Sequence, residues 1–158
     1  MKIREIIISD LEDILNWRND DVSRSMSINN EIISIEDHEK WFKESLENKN
    51  RNMFIGLYED KKIGICRFDF DSKNYQTEVS INMNPNFRNK GLGKNLLSDA
   101  IHFYLSKRNS PLIAKIRYDN IVSLKLFSSI GFSISENKNQ IIIMELKKGL
   151  TFLKVEIK

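Results

Sequence analysis

Arg88-Asn89-Lys90-Gly91-Leu92-Gly93-Lys94 stands between a strand-like run and a helix-like run. At the start of a helix several backbone N–H groups have no intrahelical partner. The helix dipole adds partial positive charge there. Glycine lets an anion approach the backbone, because no Cβ stands in the way. Arg88, Lys90 and Lys94 bring full charges, so the segment reads as a pyrophosphate site. It is neither a P-loop nor a dinucleotide fingerprint, since both need glycines or a Lys-Ser/Thr pair that are absent. Glu78 lies ten residues before Arg88 and is the nearest carboxylate able to take a proton. Ser80, one strand period further on, shares its face and can hold a water. The competing reading of Glu78 is a carboxylate paired with a cation.

Hydrophobic spacing supplies the elements that must hold these groups. Residues 2–8 read as a strand, and Ser9 and Asp10 as caps for a helix carrying Leu11, Ile14, Leu15 and Trp17. A polar connection is expected over residues 20–30, then a helix capped by Ser34 with Asp37 three residues on. Met53–Tyr58 and Lys62–Phe70 flank a turn and read as a hairpin. Tyr75–Met83 follows as a strand, and Gly91 opens a long apolar-faced helix. Residues 111–118 read as a strand, and 120–130 as a helix that Gly131 ends. Residues 132–135 and 141–146 form a last hairpin, and 151–157 a weak strand or tail. One strand–helix–strand crossover among hairpins predicts an α/β (α+β) fold with a mixed, mostly antiparallel sheet covered by helices on both faces.

The 158 residues contain no repeat or linker, so one domain over 1–158 is expected. The net charge is +3, too mild for a nucleic-acid surface but suited to a local polyanion site. A single cysteine, Cys66, excludes an intrachain disulfide and reads as a buried apolar group in a reducing compartment. Two distant histidines and one cysteine give no metal signature. With no long apolar run and no signal peptide at residues 1–5, no membrane partner and a cytoplasmic location are expected.

Arg88-x-x-Gly91-x-Gly93 after a strand resembles the acetyl-CoA signature of the GNAT superfamily of N-acetyltransferases. Asn120-x-x-Ser123-x-x-Leu126-Phe127-x-x-x-Gly131-Phe132 resembles its downstream Asn-helix-Gly-Phe motif. The likeness is clearest over residues 53–146. It implies that backbone amides of Arg88, Asn89, Lys90, Gly91, Leu92, Gly93 and Lys94 hold the coenzyme A pyrophosphate. It implies that Ile81, Asn82 and Met83 pair with pantetheine, and that Asn120, Ser123 and Phe127 lie along that arm. Glu78 stands where several members keep a general base. Many members place a thiolate-protonating tyrosine where this chain has Phe127, and Phe127 cannot donate a proton. Tyr118 and Tyr104 are the other hydroxyls that can be considered.

Trp17-Arg18-Asn19 followed by His38-x-x-Trp41-Phe42 resembles the subgroup that acetylates UDP-linked 4-amino-4,6-dideoxy sugars. That likeness implies Trp17, Arg18, Asn19, His38 and Trp41 as acceptor contacts, with Arg18 on a diphosphate and aromatic rings on uracil or sugar. Each aromatic also sits at helical spacing suited to a core. Other acceptors remain open. A protein N-terminus or lysine is one. A polyamine or antibiotic amine, drawing on Glu78, Asp69, Asp71 and Glu31, is another. A non-catalytic acyl-CoA-binding module is the third reading. A homodimer, with residues 149–158 pairing across it, is a further expectation.

Overall fold

The computed structural model describes residues 1–146, so the strand expected at 151–157 and its pairing across a dimer lie outside the described residues. The elements run β1 (Lys2–Glu5), α1 (Leu11–Asn19), α2 (Asp21–Met26), α3 (Ile35–Glu47), β2 (Arg51–Tyr58), β3 (Lys61–Asp71) and β4 (Gln76–Met83). They continue with α4 (Leu92–Lys107), β5 (Leu112–Arg117), α5 (Ile121–Ser129), β6 (Ser133–Lys138) and β7 (Ile141–Leu146). The expected order holds with one addition: α2 occupies the stretch read as a polar connection. Its signal was the Asp20-x-x-Ser23 spacing, for the Asp20 side chain accepts from the Ser23 N–H at its start. Ser34 caps α3 as expected, accepting from the Asp37 N–H at 3.1 Å.

Seven strands form one sheet in the order β1-β2-β3-β4-β5-β7-β6. Every neighbouring pair is antiparallel except β4 and β5, which are parallel and paired only at Thr77–Leu112 and Glu78–Ile113. Alternation along the strands sends Val79, Ile81 and Met83 of β4 to one face, with Phe68 of β3 and Leu112, Ala114 and Ile116 of β5. There they meet Leu96, Leu97, Ala100 and Ile101 of α4 and Phe127 of α5. Gly56 and Gly64 face each other across β2 and β3. Leu96 seats on this pair: a Cβ on Gly56 would stand 2.4 Å from its side chain, and one on Gly64 2.9 Å. The other face is packed by α1 and α3, whose Ile14, Trp17 and Phe42 lie on Met53, Ile55 and Ile65 of β2 and β3.

The entry to α1 is fixed by the buried Asp10 carboxylate. Arg4 donates two hydrogen bonds to it, at 2.7 and 2.8 Å, the Ile7 N–H a third at 2.9 Å, and Lys62 lies at 2.8 Å. Burial alone would raise the Asp10 pKa. The hydrogen bonds from Arg4, Lys62 and Ile7 outweigh it and bring the carboxyl from 3.8 to about 2. A depressed carboxylate stabilises the fold fully above its unfolded pKa and loses that contribution as pH falls toward the folded value. Asp10→Asn is therefore expected to cost about 2–3 kcal/mol at pH 7 in urea denaturation. It should also flatten the loss of stability that the parent protein shows between about pH 4 and pH 2. A variant with the parent's slope in that window would discharge Asp10 from this role.

Candidate active site

β4 carries one edge of the site. Among the described residues, its side toward β5 has no ladder partner beyond Glu78, while residues 114–117 of β5 pair with β7 alone. A wedge-shaped slot opens between the two strands, lined by backbone of residues 79–83. An extended arm bearing amides can pair with such an edge.

At the wide end of the slot, Asn84 starts a single turn over Pro85–Phe87, accepting from the Asn86 N–H at 3.1 Å. Asn89 and Gly91 take left-handed φ values of 58° and 72°. Gly91 is the N-cap of α4 and brings no side chain to its orphan N–H groups, and a Cβ there would meet nothing within 4 Å. Lys90 and Lys94 are exposed, with the Lys90 ammonium 5.0 Å over the Phe87 ring. An uncapped helix start in open surroundings, bordered by two lysines, suits a pyrophosphate. Slot and helix start together fit a coenzyme A thioester.

The Arg88 side chain takes a different course from the one expected. Its Nη1 pairs with Asp20 at 2.7 Å and its Nη2 donates to Ser23 Oγ at 2.6 Å. Its charge is thus committed to the start of α2, not to the phosphate loop. Asn120 is similarly engaged. It caps α5 through the Ser123 N–H at 3.1 Å and donates to the Met26 carbonyl at 3.3 Å. Phe127 is buried, edge-on to Phe132 at 5.0 Å. Tyr104 is no substitute acid: it is buried on the α4 side, its hydroxyl 2.7 Å from Thr77 Oγ1. Tyr118 is exposed. Burial pushes the Cys66 thiol pKa up, which suits an inert core group.

Glu78, Ser80 and Asn82 face the opposite side, toward α1–α3. Glu78 sits at the closed end of the slot, about a third exposed, with Lys115 Nζ 2.9 Å from its carboxylate. Both sequence readings of Glu78 therefore stay compatible, because the paired carboxylate remains reachable. It borders a pocket of about 160 Å³ together with Asp69, Gln76, Ile113 and Lys115. Asp69 is held by Arg51 at 2.5 Å and lies 2.9 Å from Arg67 Nε, which is not aligned for a hydrogen bond. Ser80 is the cross-strand partner of Arg67. The Trp41 ring has Arg51 at 5.5 Å and Arg67 at 5.9 Å.

Of the residues singled out for the acceptor, Arg18 and Trp41 reach this face. Trp17 and His38 are closed inside its packing, at 5% and 2% exposure, and offer nothing to an acceptor. The His38 Nε2–H donates to the Leu11 carbonyl at 2.9 Å, and burial pushes its pKa down. Asn19 spends its amide on Ile33, bonding both its N–H and its carbonyl. Arg18 donates to the Asn29 carbonyl through Nη2, but its Nη1 is shielded from solvent and has no hydrogen-bond partner among the described residues. Burial, with the charges of Arg67 and Arg24, pushes the Arg18 pKa down. Arg67 and Lys115 were missed from sequence. Their signal was a cation on the outward face of an otherwise apolar strand.

The acetyltransferase (GNAT) domain model matches residues 3–145. The chain belongs to the GNAT acetyltransferase family. It is 30% identical to the L-methionine sulfoximine/L-methionine sulfone acetyltransferase of Salmonella typhimurium over 92 residues, 56% of this chain and 52% of the relative. The match thus spans about half the length of that protein. Among solved structures, spermidine N-acetyltransferase from Vibrio cholerae, in complex with CoA and spermine, superposes with a TM-score of 0.80. Identity is 16%, over 91% of this chain and 92% of that one. N-acetyltransferase PseH of Campylobacter jejuni, in complex with acetyl coenzyme A, gives 0.74 at 20% identity, over 94% and 99%. These likenesses show a shared fold. Among the described residues no helix is long and apolar enough to cross a membrane, and no three His, Cys, Asp or Glu side chains group to hold a metal.

Gly91→Glu would set a carboxylate into the open N-cap and impose a side chain on a left-handed residue. Acetyl-CoA affinity by calorimetry is expected to fall at least about a hundredfold, from lost helix-terminus binding and added repulsion. Unchanged affinity would remove this loop as the phosphate site.

Proposed function

We propose that this GNAT enzyme acetylates the primary amine of a small molecule that also carries an anionic group, the 4-amino group of a UDP-linked 4-amino-4,6-dideoxy sugar being the specific acceptor. The observation carrying this reading is the solvent-shielded Arg18 Nη1 beside Arg67 and Arg24, without a hydrogen-bond partner among the described residues. A buried guanidinium donor with no acceptor is costly unless a ligand supplies one. A diphosphate or carboxylate does so, and Trp41 offers a ring for a base or sugar face.

A polyamine finds less here. Asp69 is taken by Arg51 and Arg67, Glu78 by Lys115, and Asp71 by the Lys73 and Asn74 N–H groups. One observation favours a second anionic amine, an α-amino acid: the matched relative acts on methionine sulfoximine and sulfone.

Acetyl-CoA supplies an activated thioester carbonyl. The chain's part is to hold the pyrophosphate at the α4 start and the arm along residues 81–83, which places the acceptor amine beside Glu78. Glu78, directly or through water at Ser80, receives the proton that the amine must shed. Lys115 Nζ, 2.9 Å away, holds that carboxylate in place. With Phe127 in place of a hydroxyl, the departing thiolate takes its proton from solvent.

Thiol release from acetyl-CoA, with product mass, should be followed on the UDP-amino sugar, methionine sulfone, spermidine and a peptide panel. Turnover of an anionic amine is expected, with the sugar first. Preference for spermidine would overturn the reading, and preference for methionine sulfone would replace the sugar with the amino acid. Glu78→Gln should slow turnover by about a hundredfold at pH 7 and less at pH 9, where more amine is already neutral. Equal loss at both pH values would count against the proton-acceptor role.

A further inference from the structure

The two side chains that mark this family's motifs both reach out of the motifs and hold the same short helix. Arg88, on the β4 side of the slot, binds Asp20 and Ser23 at the start of α2, and Ser23 Oγ donates to Asn82 Oδ1 at 2.9 Å. From the β5 side, Arg117 donates to the Ser25 carbonyl at 2.9 Å and Asn120 to the Met26 carbonyl at 3.3 Å. One end of α2 is thus fastened to β4 and its loop, the other to the end of β5 and the start of α5. The helix crosses the mouth of the slot.

None of the six residues of α2 is buried. Apolar packing therefore does not fix its position, and the polar contacts at its two ends do. Asp20 is suited to this task. Burial works against its charge, yet the Ser23 N–H and Arg88 hold its carboxyl below the ordinary range. Acceptor-side cations are tied to the same segment: Arg24 is on α2, and Arg18, on α1, reaches the loop that follows α2. Arg24 donates to the Asn19 and Asn30 carbonyls, and Arg18 to that of Asn29. Where α2 lies decides where those guanidinium groups stand relative to the slot.

We propose that Arg88 and Asn120 are positioning residues that fasten α2 across the slot, Arg88 acting through Asp20 and not through a cofactor phosphate. The inference concerns donor and acceptor halves of the site together and does not depend on which amine is acetylated. Its consequence is a division of labour inside one motif. The glycines and backbone of 89–94 receive the phosphates, and the arginine side chain sets the acceptor wall.

The test is a double-mutant cycle on Arg88→Met and Asp20→Asn, read three ways in the intact protein. Amide hydrogen exchange over residues 21–27 is expected to quicken about tenfold in each single variant and no further in the double. Acetyl-CoA Kd by calorimetry should change by the same factor in both singles and the double. The KM for an amine the parent accepts should rise about fivefold or more in each, with kcat at saturation and Tm near the parent's. A merely structural loss would lower kcat or Tm instead and would overturn the assignment. Acetyl-CoA binding weakened in Arg88→Met alone, or effects that multiply in the double, would return Arg88 to the phosphate. Failure of the sugar to react leaves the exchange and calorimetric readings to decide by themselves.

Discussion

Strands β4 and β5 share a ladder for two residue pairs and then part, and most of the remaining architecture follows from that parting. A parallel pair needs a crossover, and here the crossover is α4, whose free N-terminus comes to rest at the wide end of the gap. Unpaired strand edges usually demand cover. In this molecule the edge is internal to a seven-stranded sheet, so a guest arm can complete it while α4 supplies positive potential at the arm's end. The buried Thr77–Tyr104 and Thr77–Ser110 hydroxyl contacts, each 2.7 Å, stand just below the divergence and fasten the joined part of the strands.

The face opposite α4 is organised by charge. Arg51, Asp69, Arg67, Glu78 and Lys115 form a row of pairs across four strands, close to neutral in sum. Arg18 stands at its margin with an unused donor and two like-charged neighbours. Partly buried cations without matching anions are costly. Arg24 pairs with Asp21 and Arg67 with Asp69, so Arg18 is the guanidinium of this group with no carboxylate beside it among the described residues.

Much of this was legible in the sequence. Period-2 alternation in β4, the Ser34 cap, the Gly131 stop and the glycines at the α4 start are local signals, and local signals survive folding. The path of the Arg88 side chain was not legible, because its partners Asp20 and Ser23 lie more than sixty residues away. Trp17 and His38 were ambiguous for another reason. Helical spacing places a ring on a face but does not say whether that face is closed by a neighbour, and α3 closes it on α1. Arg67 and Lys115 were missed because an outward cation on a strand is ordinary; only the pairing of β4 with β5 sets Lys115 beside Glu78.

The glycine pair at 56 and 64 has a consequence for length. Leu96 presses into the dent between β2 and β3, and its helix cannot slide along the sheet without meeting a Cβ wall or strand backbone. The start of α4 is four residues upstream of that tooth, and the point where β4 leaves β5 is fixed by the sheet itself. The distance from one to the other is thus a rigid gauge, set by packing and not by the loop that joins them. A gauge of this kind would act on a bound arm through its length, separately from any contact with its chemical groups.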